Sequence, residues 1–169
     1  MQTKKLKELG SLVTYPKDFI LVKAGSPSKK LWLIEKGLAR YIYYHDDKEL
    51  TGWIDQEGDI VGSVFSLLGF GAARETIQLL EESDLYEVTL EDLKKDSVFF
   101  DMFKNQMLEH YFMELENRIK FFQSLGGKER YEFLLANKPD LVQRVPQKIL
   151  STYLGITPES LSRIRASLS

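Results

Sequence analysis

Glu159 and Arg163 stand four positions apart near the C-terminus, among Thr157, Ser160 and Ser162, with Arg165 just beyond. A guanidinium can donate two parallel hydrogen bonds to guanine O6 and N7, and a carboxylate can accept from cytosine N4. Hydroxyl groups and a second arginine suit phosphate oxygens. On a helix, positions four apart share a face. The same side chains on a plain solvated hairpin would do no chemistry, so the elements that hold them decide the reading.

Those elements are legible in Val145-Pro146-Gln147-Lys148-Ile149-Leu150-Ser151-Thr152-Tyr153-Leu154-Gly155-Ile156-Thr157-Pro158 and the ten residues after it. The segment reads as helix, tight turn, helix. Gly155 falls where a first helix must reverse, a place for a left-handed residue. Thr157 is an N-cap type, and Pro158 follows at the first helical position, where its missing N–H costs nothing. Leu150, Leu154, Ile156, Leu161 and Ile164 can share one small core, with Leu168 continuing the inner face. Glu159, Ser162, Arg163 and Ala166 are left outward. In a helix-turn-helix the second helix enters the major groove with its N-terminal residues at base edges.

The earlier chain is organised differently. Residues 15–90 carry short aromatic and β-branched runs, Leu31–Ile34, Leu38–Tyr44, Leu50–Ile54, Thr76–Leu80 and Leu85–Thr89, broken by Glu35-Lys36-Gly37, His45-Asp46-Asp47-Lys48 and Gln56-Glu57-Gly58-Asp59. Strands at that spacing predict a sandwich, roll or barrel. Thr89 before Glu91-Asp92 marks a helix start, with acids near the positive end of the dipole. A long helix is expected over 99–124, free of Gly and Pro until Gly126-Gly127. In it Leu108, Phe112, Leu115, Ile119 and Phe122 are spaced 4, 3, 4 and 3, a heptad seam, with Phe103, Met107 and Phe121 beside it. The seam fits a dimer of such helices; a helix packed on its own β domain is the other reading. Gly126-Gly127 reads as a hinge and domain boundary, and Glu129–Asn137 as a short helix ended by Asn137-Lys138-Pro139.

Taken together, the chain resembles the cyclic-AMP receptor/FNR family of bacterial transcription regulators. The sensor part of the resemblance rests on Leu31 to Arg40, on Gln56-Glu57-Gly58-Asp59-Ile60-Val61-Gly62, and on Leu79-Leu80-Glu81-Glu82-Ser83-Asp84-Leu85. The DNA-binding part rests on Gly155 to Ile164. The resemblance implies an α+β chain: a double-stranded, jelly-roll-like β-roll sensor over 1–98, a dimerisation helix over 99–124 and an all-α helix-turn-helix domain over 125–169. It implies a homodimer on pseudo-palindromic DNA, with an effector of unidentified chemistry in the roll near Gly62, Ser63, Arg74, Glu75 and Thr76.

Three departures qualify this. Cyclic-nucleotide binders of the family place a glutamate after the glycine and an arginine about ten residues on, the first for the ribose hydroxyl and the second for the phosphate. Here Ser63 stands at the glutamate position, Ala73 at the arginine position, and Arg74 and Glu75 follow. A serine cannot accept two hydroxyl protons as a carboxylate does, and a nearby glutamate repels a phosphate. Ordinary cyclic-AMP binding is therefore not expected, and no cofactor is. The family's β-hairpin wing is not expected either, since the sequence ends at Ser169. With no cysteine, thiolate iron–sulfur sensing and disulfides are excluded.

The totals agree with a globular chain. Hydrophobic residues are 43% of 169, enough for a core, and no apolar run suits a signal peptide or membrane helix, so a cytoplasmic protein is expected. Net charge is −2, but residues 125–169 hold seven basic and four acidic residues while the first 124 hold 16 and 21. A basic tail on an acidic body is compatible with DNA binding through the tail. His45 and His110 have no second ligand at metal spacing, no nucleophile constellation is present, and no enzyme is expected. The alternative from another class is a small-molecule or partner-binding module whose DNA-binding head is vestigial.

Overall fold

The protein, a computed structural model, is described at residues 2–46 and 48–168; Asp47 of the expected polar turn and Ser169 lie outside the described residues. Two compact units divide between Phe103 and Lys104, inside the long helix.

The first unit opens with helix α1 (Gln2–Leu9), then β1 (Ser11–Tyr15), β2 (Ile20–Val22), β3 (Lys30–Lys36), β4 (Ala39–His45), β5 (Lys48–Asp55) and β6 (Ile60–Val61). A short α2 (Val64–Leu67) precedes β7 (Thr76–Leu79) and β8 (Ser83–Thr89), and α3 (Leu90–Lys94) leads to the start of α4 (Ser97–Ser124). Two four-stranded antiparallel sheets result, in the orders β1-β8-β3-β6 and β2-β7-β4-β5. This is the expected roll. The expected strands are all present, and α1, β1, β2, β6 and α2 add to them.

Trp32, Ile34, Ala39, Val61, Ala73, Ile77, Leu79 and Leu85 close into one core, the period-2 alternation of both sheets. Leu31 and Leu33 are buried too, although they alternate to the opposite face of β3. Helix α1 packs on β3 and β8 with Leu6 fully buried, which explains an apolar run that does not alternate. Thr89 caps α3 as expected: its hydroxyl accepts the Asp92 N–H at 3.0 Å. The Asp96 carboxylate accepts the Phe99 N–H at 3.0 Å and starts α4 two residues before the expected 99.

The second unit comprises the rest of α4, α5 (Gly127–Asn137), α6 (Pro139–Arg144), α7 (Gln147–Leu154) and α8 (Pro158–Leu168). Helix α6 was not expected. Pro139 does end α5, but it also sits at the first turn of α6, where a proline is tolerated. Leu141 and Val142 of α6 join Tyr131, Leu134, Val145, Leu150, Tyr153, Leu154 and Leu161 in a buried core.

The glycine pair after α4 has two different local roles. Gly126 has φ −75° and ψ 170°, extended backbone open to any residue, and its N–H donates to the Glu129 carboxylate at 2.6 Å. Gly127 is needed for space instead: a Cβ there would lie 2.6 Å from Ile156 Cγ2. Among the described residues, no helix is long and apolar enough to cross a membrane.

Candidate functional site

The turn between α7 and α8 is built as its sequence requires. Gly155 adopts φ 66° and ψ 37°. Its N–H donates to Thr152 O at 3.1 Å, and the Ile156 N–H donates to Ser151 O at 3.0 Å, so the last carbonyls of α7 are satisfied. A side chain at 155 would be doubly penalised: the backbone is left-handed, and a Cβ would stand 2.8 Å from Phe122 Cε1. Thr157 Oγ1 accepts the Ser160 N–H at 3.2 Å, the expected N-cap bond. The Gln147 side chain donates to Pro158 O at 3.0 Å and ties the two helices together. That link joins side chain to backbone eleven residues apart, and no sequence pattern announces it.

Helix α8 sorts its side chains by face. Leu161 is fully buried and Ile164 half-buried, while Thr157, Glu159, Ser162, Arg163 and Ala166 are exposed and Ser160 is half-buried. Leu168 is 43% exposed, so the inner face ends sooner than the 161, 164, 168 spacing implies. Arg163 stays out in solvent, its Nη2 3.4 Å from Ser160 Oγ. Glu159 is held below the usual carboxylate range, first by its own backbone N–H, then by Thr157 and by nearby Arg163. A carboxylate so engaged at a helix N-terminus is less free to read a base than Arg163. Arg165 turns inward: Nη2 lies 3.5 Å from Val142 O and the guanidinium 5.7 Å from the Tyr131 ring. It props the head, a role the sequence did not signal.

The seam residues of α4 are largely exposed. Leu108, Phe112, Leu115 and Ile119 form an apolar stripe, and Tyr111 and Met113 beside it are exposed as well. Phe122 has a second job. The guanidinium groups of Arg118 and Arg130 lie over its ring, at 4.5 and 4.8 Å. Arg118 also stacks 4.1 Å from the Tyr153 ring and donates to Tyr153 O, at the C-terminal end of α7. Burial, and Arg130 nearby, lower the Arg118 pKa. The C-terminal end of α4 is thereby bolted to the helix pair.

In the roll, Gly62 and Ser63 lead into α2. Ser63 is fully buried and its hydroxyl accepts from the Ser66 N–H at 3.4 Å; the Gly62 N–H donates to the Tyr41 hydroxyl at 3.3 Å. Tyr41 in turn donates to Asp55 Oδ2 at 2.8 Å, and Trp53 Nε1 donates to Asp55 Oδ1 at 2.7 Å. Thr76 is buried and accepts the Ala24 N–H at 3.1 Å. Arg74 and Glu75 part company. Arg74 is exposed and lies 3.8 Å over the Phe65 ring, whereas Glu75 is only 6% exposed.

No family model matches the sequence, and no curated protein does. Solved structures do. FixK2 from Bradyrhizobium japonicum matches with a TM-score of 0.80 at 20% identity, over 94% of this chain and 84% of that one. A CooA variant from Carboxydothermus hydrogenoformans matches at 0.71 and 19%, over 96% and 78%. The c-di-GMP responsive global regulator CLP of Xanthomonas campestris matches at 0.69 and 19%, over 98% and 89%. The fold is that of the cyclic-AMP receptor/FNR regulators.

Within this cyclic-AMP receptor/FNR fold, the loop from Gly62 to Thr76 is where the chain departs furthest from the nucleotide-binding pattern. The positions expected to hold a glutamate and an arginine hold Ser63, spent as a helix cap, and Ala73, buried in the core. Arg74, in the bend before β7, does not replace the missing arginine: it is exposed, with its guanidinium over the Phe65 ring. Among the described residues no group of three or more His, Asp or Glu side chains is placed to hold a metal ion.

Proposed function

We propose that this chain is a transcription regulator that binds DNA through α8 and acts as a homodimer joined along α4. The observation that carries the reading is the sorting of α8. Leu161 is anchored in the head while Ser162 and Arg163 remain in solvent on a helix capped at Thr157. Such a helix can enter a major groove without rearrangement, Arg163 bidentate to a guanine, with Thr157, Ser160 and Ser162 near the phosphates. Arg165 is not assigned a DNA contact, since its guanidinium is turned to Val142 and Tyr131.

The exposed stripe of Leu108, Phe112, Leu115 and Ile119 supports the dimer, because a contiguous apolar surface of this kind favours burial against a partner. A second copy would place two recognition helices about one DNA turn apart, ~34 Å, on a pseudo-palindromic site. An effector in the roll would bias one arrangement of the heads by its differential affinity for the two states. The protein is read as a regulator and not an enzyme. A cyclic nucleotide is an unsuitable effector, given Ser63, the outward Arg74 and the inward Glu75.

The test is fluorescence anisotropy of the full chain on labelled DNA taken from beside its own gene, over a salt series. The expected outcome is sequence preference together with affinity that falls steeply with salt. Equal, salt-insensitive affinity for all sequences would reject DNA recognition and leave a binding module in its place.

A further inference from the structure

We propose that Arg118 is a positioning residue: its guanidinium sets the angle between α4 and α8, and through it the half-site spacing that the dimer accepts. The proposal rests on reading the chain as a DNA-binding dimer and names what fixes its geometry.

Arg118 lies in the last turns of α4 and reaches a helix 35 residues on, across the link at Gly126. Its Nη2 donates to Tyr153 O at 2.5 Å, and its guanidinium lies 4.1 Å from the Tyr153 ring. Tyr153 is buried in the head, one residue before the end of α7. The last carbonyls of a helix carry partial negative charge, so a cation is favoured there. On its own helix Arg118 lies 4.5 Å from the ring of Phe122, one turn on. One guanidinium therefore joins an aromatic ring on each helix while donating to a backbone oxygen. A planar group can present its face to a ring and its edge to an acceptor, which an ammonium cannot.

The same joint seats the turn that starts α8. A Cβ at Gly155 would stand 2.8 Å from Phe122 Cε1 and 3.1 Å from Arg130 Nη1, so the turn rests on those two side chains. Little close packing of backbones joins α4 to α7, and long side chains make the joint instead. Burial, and then nearby Arg130, lower the Arg118 pKa, with Tyr153 opposing. Keeping a half-buried cation beside another is costly, and an apolar side chain would fill the space without that cost. Phe122 also ends the apolar stripe of α4. In the dimer the stripe holds one α4 against the other, and Arg118 holds each α8 against its own α4. The distance between the two recognition helices follows from these two contacts. One base-pair step along DNA is about 3.4 Å, so the joint decides which spacings fit.

The experiment measures the joint directly. The chain has no cysteine, so Glu109→Cys on α4 and Ala166→Cys on α8, both exposed positions, accept one spin label each. The labelled full chain is diluted into unlabelled chain, so that double electron–electron resonance reads the distance within one chain. A single narrow distribution is expected. Arg118→Met should broaden it about twofold, with Arg118→Lys in between. Lys120→Met, which loses only the exposed pair with Glu116, should leave it unchanged. On duplexes whose half-sites are moved one base pair closer or further apart, Arg118→Met should lose roughly tenfold of the native discrimination. If Arg118→Met unfolds, Arg118→Lys carries both readouts. A folded Arg118→Met with a lowered thermal midpoint but the native distance distribution would show packing alone and overturn the proposal. So would a native spacing preference in that variant. A native chain that binds DNA while its Arg118 variants keep the joint sinks this proposal alone. A native chain without DNA preference sinks the regulator and the spacing with it, and the label distances still decide the joint.

Discussion

The head and the roll hold their informative residues on opposite sides of the surface. In the head, Arg163 and Ser162 are outside, and the buried residues beneath them serve only to hold α8. In the roll, Glu75, Asp55 and Ser63 are inside, and the arginine that might have met an anion, Arg74, is outside. The difference teaches how each region would recognise its target. A duplex is too large to enclose, so its reader must present charge on a rigid exposed helix. A small effector is enclosed, so its recognition depends on which side chains strand parity turns inward.

The sharpest way to break the comparison is to remove the scaffold from one region. Leu161→Ala empties a fully buried position of the head and should cost roughly 2–5 kcal/mol there. Because the two units are separately compact, differential scanning calorimetry should show the head's transition fall while the roll's stays. Both transitions falling together would mean that the units do not fold independently.

A smaller effect sharpens the roll. Burial alone would raise the Glu87 pKa, but hydrogen bonds from Lys30, Tyr15 and Trp32 outweigh it and the pKa is lowered. A carboxylate lowered on folding stabilises the protein above its unfolded value, about 4.3, and loses that contribution as pH falls through the folded value. Glu87 is partly exposed, so screening keeps the contribution modest. Acid unfolding followed by tryptophan fluorescence should therefore be shallower for Glu87→Gln than for the native chain across that window. Identical acid limbs would remove Glu87 from the account.

What could be read from the sequence follows the range of the interaction concerned. Gly155, Thr157 and Pro158 each obey a backbone rule spanning a turn or less, and all three stand as expected. Five of the roll's strands were legible from aromatic and β-branched runs between turn residues, and the long helix from its heptad spacing and lack of Gly and Pro. Helix α6 was hidden because six residues hold too little period, and Pro139, read as a terminator, is also an initiator. The inward turn of Arg165 and the contacts of Phe122 with Arg118 and Arg130 depend on helices brought together by packing, which spacing along one helix cannot reveal. At Gly127 the need for space beside Ile156 could not be read from the sequence, because it depends on a residue packed against it from further along the chain. Glu75 is the instructive case. Its burial was not available in the sequence, because it lies in the bend before β7, where no strand period applies.

The central claim is that the exposed face of α8 reads bases, and Arg163→Ala tests it most directly. The variant should keep its thermal midpoint, because Arg163 is solvent-exposed and its nearest described polar contact is a 3.4 Å approach to Ser160. On the chain's own DNA site it should lose about 1–3 kcal/mol of binding and relax its preference at one base pair. An Arg163→Ala protein with native stability, native affinity and native sequence preference would contradict the claim.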